Sequence, residues 1–352
     1  MLASLKAQWR FAVIAAFLML LFAVLVIRMM LIQVVDVDGG LSFLKGEGEA
    51  RTVRMETIPA NRGMIVDRNG KPLAVSTPVV TIWANPQKMQ ASSEEIRQLA
   101  SILKIPYQQL YKRLKKYRNK QFVYIERQVS PALAEAVFAL KIKGVHGREE
   151  YRRFYPAGEV TSQLLGFTNI DNKGQEGFEL AYDSWLQGKD GSRKVVKDLF
   201  QRTIKVLNHK EEAKPGNDLT LSIDLRLQYL AYKELKSVVT HHRADGGTAV
   251  VLDVHTGEVL AMVNQPSFNP NDRSDMKIAA VRNRALTDVF EPGSTVKPLA
   301  MMAALESGNI KPHTKIDTRP GHVKVGRKTL LDPVNYGVID VTKVITKSSQ
   351  VG

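Results

Sequence analysis

The stretch that decides the reading of this chain is Phe290-Glu291-Pro292-Gly293-Ser294-Thr295-Val296-Lys297-Pro298-Leu299-Ala300. Pro292-Gly293 is a turn, Ser294 stands where a helix begins, and Met301 to Glu306 carry that helix on. Positions i and i+3 of a helix lie on one face, so Ser294 and Lys297 can meet. A serine hydroxyl is a poor nucleophile until a base takes its proton. A lysine amine can be that base when burial or a nearby cation lowers its proton affinity. The helix start adds partial positive charge where an alkoxide or oxyanion would form. A bare Ser-x-x-Lys is weak evidence, however. Taken alone, it reads better as a helix cap followed by a solvated lysine, and the surrounding residues change that balance.

Upstream of the motif, Leu219-Thr220-Leu221-Ser222-Ile223 alternates as a strand, and Asp224 caps a helix expected to run to about Thr240. Thr248 to Val254 and Val259 to Val263 read as two strands joined at His255-Thr256-Gly257-Glu258. A strand, a helix and two more strands predict a mixed sheet with helices packed on it. Lys214-Pro215-Gly216-Asn217-Asp218 is a turn cluster and a candidate domain boundary. Before it, Met64-Ile65-Val66 and Leu73-Ala74-Val75 flank the turn Asp67-Arg68-Asn69-Gly70 and read as a hairpin. Helices are expected over Ser92–Leu103 and Pro131–Leu140, the second capped by Ser130. Gly158 to Gly191 is glycine-rich but lacks the Gly-Lys-Ser/Thr ending of a phosphate loop.

Phe11 to Ile27 is an unbroken apolar run, extended past Arg28 by Met29 to Ile32. About 20 helical residues cross a hydrocarbon core. Lys6 and Arg10 precede the run and Asp36 and Asp38 follow it, so the N-terminus is expected on the cytoplasmic side and the bulk of the chain outside. A cleaved signal peptide would have a shorter apolar region and a small-x-small site, where this chain has Arg28-Met29-Met30.

The 352 residues are 44% hydrophobic and carry a net charge of +15, which suits an ordered protein with anionic surroundings. The basic residues are scattered, with short clusters such as Lys112 to Lys116 and no nucleic-acid motif, so no nucleic-acid partner is expected. The chain has no cysteine, which excludes disulfides, thiolate zinc sites and cysteine nucleophiles. His241-His242 lacks a partner carboxylate at ligand spacing; adjacent histidines are expected to point apart, and no metal site is assigned. Asp253 and Glu258 flank a turn, which explains them without catalysis, and Trp83 and Trp185 are read as packing residues.

With its flanks, Glu291-Pro292-Gly293-Ser294-Thr295-Val296-Lys297-Pro298 resembles the nucleophile motif of the class B penicillin-binding proteins. Arg62-Gly63-Met64-Ile65-Val66-Asp67-Arg68-Asn69-Gly70 resembles their first box after the anchor. Arg152-Arg153-Phe154-Tyr155-Pro156 and Gly174-Gln175-Glu176-Gly177-Phe178-Glu179 resemble later boxes of their non-catalytic pedestal, and Thr248 to Pro266 resembles the opening strands of their transpeptidase domain. The motif wording is closer to the division type than to the elongation type. The resemblance implies an α+β chain in four parts: a tail and anchor over 1–32, a linker over 33–50, a dimerisation-type pedestal over 51–216, and part of a transpeptidase domain, serine β-lactamase-like in fold, over 217–352. It implies a cofactor-free D,D-transpeptidase of the inner membrane, acting on peptidoglycan stem peptides and their lipid-linked precursor, acylated by β-lactams and working beside a division-complex glycosyltransferase. Ser294 maps to the nucleophile, Lys297 to the general base and Ser348 to the proton-relay serine.

The match breaks in two places. The family's second motif is Ser-x-Asn, but Lys347-Ser348-Ser349-Gln350 puts glutamine at the substrate-amide position. The third motif, Lys-Thr/Ser-Gly, has no copy after Ser294. The chain is therefore expected to be a fragment ending before that motif, with an open sheet edge and little or no activity alone. The alternative reading is an inactive, membrane-anchored interaction module of the division complex. A secreted β-lactamase would need neither anchor nor pedestal.

Overall fold

The computed structural model describes residues 2–33, 46–48, 52–197 and 203–352. Most of the expected linker over 33–50 lies outside the described residues. The chain divides into two compact units, Met1–Leu286 and Thr287–Gly352.

The first unit begins with a helix over Leu2–Gln33, in which Trp9–Leu31 forms a 23-residue apolar span long enough to cross a bilayer. Beyond it, the strands are β1 (Val53–Ile58), β2 (Ile65–Val66), β3 (Pro72–Ala84), β4 (Val123–Val129), β5 (Val145–Phe154), β6 (Gly191–Lys197), β7 (Thr203–Glu211) and β8 (Leu219–Thr220). β1, β6 and β7 form one antiparallel sheet. The central sheet runs β4-β3-β2-β8, with β5 on the other side of β3. The expected hairpin is present as β2 and β3, and Asp67 closes its turn by accepting from the Asn69 and Lys71 amides at 2.8 Å each.

Two apolar clusters hold this unit together. In the first, Ile82, Leu99, Leu110, Ile125 and Val137 bring the helices Ser93–Ile102, Tyr107–Lys116 and Pro131–Ala139 onto β3 and β4. The first of these helices begins with a capping box, in which the Ser92 hydroxyl and the Glu95 amide and carboxylate satisfy each other. Ser130 caps the third, with Pro131 in its first turn. In the second cluster, Ile65, Leu73, Tyr155, Leu165, Leu186 and Ile223 close the region around β2.

A buried ionic knot joins three of the stretches singled out in the sequence, those holding Arg62, Arg153 and Glu179. Glu179, fully buried, receives Arg62 Nε at 2.7 Å and Arg153 Nε at 2.6 Å on its two oxygens. Arg62 also reaches Asp183 at 2.7 Å. Gly166 lets the chain pass close by: a Cβ there would stand 1.8 Å from the Glu176 carbonyl oxygen, and its φ is +73°.

Several expectations about the following segment need correction. The strand expected over Leu219–Ile223 shortens to β8, and β8 does not join the strands after it. It pairs in parallel with β2, Ile65 opposite Leu219 and Val66 opposite Thr220. Asp224 does cap a helix, Leu225–His241, by accepting from Arg226 N. β9 (Gly247–Leu252) and β10 (Val259–Gln265) then form an antiparallel pair of their own. Gln228, almost fully buried on that helix, donates to the Val160 and Met262 carbonyls at 2.9 and 2.8 Å and accepts from Met262 N at 2.8 Å, tying the 3-10 turn Gly158–Thr161, the helix and β10 together. His241 and His242 do not point apart; their rings meet edge to face with centroids 4.8 Å apart. Trp185 is half exposed rather than packed inside, while Trp83 lies against Phe122 and His146. Asp253 behaves as a turn residue, accepting from His255 N and Thr256 N.

The second unit holds a 3-10 turn, Gly293–Val296, a helix, Lys297–Glu306, the strand pairs β11 (Lys315–Asp317) with β14 (Val338–Asp340) and β12 (His322–Val325) with β13 (Lys328–Leu331), and a last helix, Val341–Thr346. All the site residues expected from sequence fall in this unit.

Candidate active site

Ser294 begins in a tight turn rather than in α-helix. Gly293 has φ +56°, a conformation costly to any residue with a Cβ, and it swings the chain from Pro292 into the 3-10 turn. The Lys297 amide donates to the Ser294 carbonyl and closes that turn. Ser294 lies within this turn and Lys297 opens the α-helix that follows it, three residues on; among the described residues no hydrogen bond joins the Ser294 hydroxyl to the Lys297 amine. Pro298 in the first turn of the helix that follows needs no amide partner there. The Thr295 hydroxyl turns back to the Pro292 carbonyl. Ser294 is exposed and Lys297 is half-buried.

The amine of Lys297 meets the end of the helix Val341–Thr346. It donates to the Ser348 carbonyl at 2.6 Å, to the Ser349 carbonyl at 2.9 Å and to the Ser348 hydroxyl at 3.2 Å. Those carbonyls face it because of how the helix stops. Ser349 N donates to Val344 O at 2.9 Å and Ser348 N to Ile345 O at 3.0 Å, the paired bonds of a Schellman ending. That ending demands a left-handed residue just past the cap, and Ser348 supplies it with φ +52°. Glycine usually takes this place; a serine there costs about 1–2 kcal/mol, kept where the surroundings enforce it.

One residue that sequence reasoning missed completes the arrangement. Asp332 follows β13 and sends one oxygen to the Ser349 hydroxyl, which donates to it at 2.5 Å, and the other to Gln350 N at 2.6 Å and Val351 N at 3.4 Å. The Ser349 oxygen in turn accepts from Gly352 N at 2.9 Å. Burial pushes the Asp332 carboxyl up, but these donors and the Lys297 charge more than offset it and hold it below the ordinary carboxylate range. Nothing local marks Asp332: Leu331-Asp332-Pro333 reads as a turn, and its partners lie far along the chain. The structure thus brings Lys297, Ser348, Ser349 and Asp332 together. The Gln350 side chain is exposed, and its backbone amide is what the cluster holds.

Comparison with known proteins agrees with this architecture. Residues 57–221 match the penicillin-binding protein dimerisation domain, and residues 247–352 match the penicillin-binding protein transpeptidase domain. The chain is 43% identical over 350 residues to the peptidoglycan D,D-transpeptidase FtsI of Escherichia coli, covering 98% of this chain and 58% of that protein. It is 43% identical over 354 residues to the probable peptidoglycan D,D-transpeptidase PbpC of Pseudomonas aeruginosa, covering 100% of this chain and 61% of that one. Among solved structures, a peptidoglycan synthetase from Bifidobacterium adolescentis is similar with a TM-score of 0.59 at 26% identity, over 85% of this chain and 59% of that one. PBP2 of Helicobacter pylori, in its complex with MreC, shares the fold with a TM-score of 0.65 at 23% identity, over 85% and 62% of the two chains. The chain spans about 58–61% of the length of these curated relatives. The two matched domains define a penicillin-binding protein. The chain belongs to class B of that family, on its division-type side.

Proposed function

We propose that the protein is a peptidoglycan D,D-transpeptidase of septal wall synthesis, with Ser294 as its nucleophile, Lys297 as its general base and Ser348 as a proton relay. The observation that carries this reading is the set of acceptors around Lys297 Nζ, with Ser294 one 3-10 turn before it. Carbonyls can only accept. In the neutral amine, the Ser348 and Ser349 carbonyls take both N–H donors and leave the lone pair for a hydroxyl proton. Ser294 Oγ then attacks the penultimate D-alanyl carbonyl of a stem peptide, and its proton passes to Lys297. The tetrahedral intermediate collapses with cleavage of the amide. Its nitrogen takes a proton returned through Lys297 and Ser348 and leaves as D-alanine. An amine of a neighbouring strand attacks the acyl-enzyme and restores the Ser294 hydroxyl. The start of the helical segment places partial positive charge near the developing oxyanion. Gln350 is assigned to the substrate amide, one methylene longer than the family's asparagine.

In this reading the dimerisation-type pedestal covers 51–216 and the transpeptidase part 217–352. The first helix is a single-pass inner-membrane anchor with the N-terminus cytoplasmic and the bulk periplasmic. The partners are peptidoglycan stem peptides, the lipid-linked precursor and a division-complex glycosyltransferase. Fluorescent penicillin tests the chemistry. Any penicillin label the chain takes should sit on Ser294, and Ser294→Ala should carry none; a label on another residue would overturn the assignment. Gln350 in place of asparagine favours a second reading, an interaction module with weak or lost catalysis. A division-complementation assay in which Ser294→Ala works as well as wild type would select it.

A further inference from the structure

Lys297 is held by two carbonyls that belong to a strained turn, so something must hold the turn. Ser348 sits in the left-handed region, and the helix before it, Val341–Thr346, is short. A left-handed non-glycine residue persists when its surroundings over-determine it. Asp332 is placed to do this. It accepts from the Ser349 hydroxyl, Gln350 N and Val351 N, and through Ser349 it also fixes Gly352 N. Its own backbone is tied down as well: Asp332 N donates to Gly321 O at 3.0 Å, at the mouth of the β12–β13 hairpin. A hairpin on one side and a helix end on the other are therefore joined through a single carboxylate. Ser349, the middle residue of the motif, is buried, which keeps water from competing for its bond to Asp332.

We propose that Asp332 is a positioning residue for acyl transfer: its carboxylate fixes the Ser348–Val351 turn so that the turn's carbonyls hold the Lys297 amine in its working place. This rests on the reading of Ser294 and Lys297 as nucleophile and base. Asp332 touches no reacting atom; it acts through Ser349 and the backbone on Lys297. It also explains how the second motif keeps its shape with glutamine at position 350, because the contact to that residue is made by the backbone and is blind to the side chain.

The test uses the whole chain in detergent with two variants and two readouts. Asp332→Asn retains an oxygen for Gln350 N and offers an amide to the Ser349 oxygen, so the turn survives. Asp332→Ala removes every acceptor. The first readout is acylation by fluorescent penicillin, resolved into a reversible binding constant and a first-order acylation step. Asp332→Ala should slow the acylation step by about tenfold to a hundredfold, the scale of a displacement near 1 Å in a catalytic group. The binding constant should stay close to wild type, and Asp332→Asn should recover most of the loss. The second readout is modification of Lys297 by an amine-reactive reagent, followed by peptide mass spectrometry. Lys297 should react several-fold faster in Asp332→Ala and near the wild-type rate in Asp332→Asn. Equal Lys297 reactivity in all three chains would overturn the proposal, as would an unchanged acylation step in Asp332→Ala. A wild type that takes no penicillin label would count against the acyl-transfer reading instead, and the Lys297 reactivities would still decide the role of Asp332.

Discussion

Replacing Glu179 with alanine is the perturbation that most directly probes how the pedestal is held. The carboxylate is fully buried between Arg62 and Arg153, whose side chains are 3% and 1% exposed. After its removal, Arg62 keeps Asp183 at 2.7 Å and the Asn172 carbonyl at 3.1 Å. Among the described residues Arg153 keeps only neutral partners, the Gly63 and Arg62 carbonyls at 2.7 and 3.5 Å and the Ser76 hydroxyl at 3.3 Å, and one of its terminal nitrogens already lacks a partner. A buried guanidinium would thus be left without a counter-charge, and breaking such a pair costs about 3–5 kcal/mol. Because the chain has more than one folding unit, a single unfolding midpoint is a poor measure. Native-state hydrogen exchange on peptides covering 147–156 and 174–186 is the suitable assay, and the opening free energy there should fall by about that amount. Removing both charges at once should cost less: Glu179→Leu with Arg153→Met should recover a large part of the loss, since the uncompensated ion has gone. A Glu179→Ala loss under about 1 kcal/mol, the size of an exposed pair, would refute the idea that this knot is electrostatically closed.

Further outcomes follow from the same geometry. Ser348→Gly should stabilise the end of the helix Val341–Thr346 by about 1 kcal/mol, because glycine is at ease in the left-handed region, while slowing penicillin acylation through loss of the relay hydroxyl; exchange at Ser349 and Gln350 amides and the labelling rate read the two effects separately. Gly166→Ala should destabilise the pedestal by well over 1 kcal/mol on the scale of about 0.4–1 kcal/mol for compatible glycine sites, since its Cβ would stand 1.8 Å from a carbonyl oxygen; solubility and exchange of the folded chain check it. Asp332 is held below its ordinary value of 3.8, so its contribution to the turn is complete above that pH and is lost as pH falls through the lower folded value; amide exchange at Gln350, corrected for intrinsic rate, should therefore be level above about pH 4 and loosen only under stronger acid.

The parts of this chain legible in its sequence are those in which cause and effect lie close together. Asp67 closes its own hairpin turn, Ser92 and Glu95 cap their own helix, Pro131 opens one, and Pro292-Gly293 turns the chain into Ser294-Thr295-Val296-Lys297. Each signal acts within about one turn, where residue chemistry alone selects the backbone. The apolar run from Phe11 is legible for a different reason: length and composition suffice, and no partner need be known.

What sequence did not reveal required a second segment to become visible. Leu219-Thr220 alternates as any strand does, and nothing in it says that its neighbour is β2 rather than β9. Arg62, Arg153 and Glu179 all lie within stretches that stand out in the sequence, yet their joint burial follows from three separate elements converging. A charge in a sequence reads as solvated until its counter-ion is found. The candidate site divides along the same line. Ser294 and Lys297 are linked by helical spacing and were legible together; Ser348 was legible through its resemblance to the family's second motif. Asp332 was not, because the bond that gives it meaning spans a strand and a helix before reaching Ser349. The substitution of glutamine at position 350 looked, in sequence, like damage to the motif. In the structure, the atom of residue 350 that the cluster grips is its backbone nitrogen, which every residue but proline supplies.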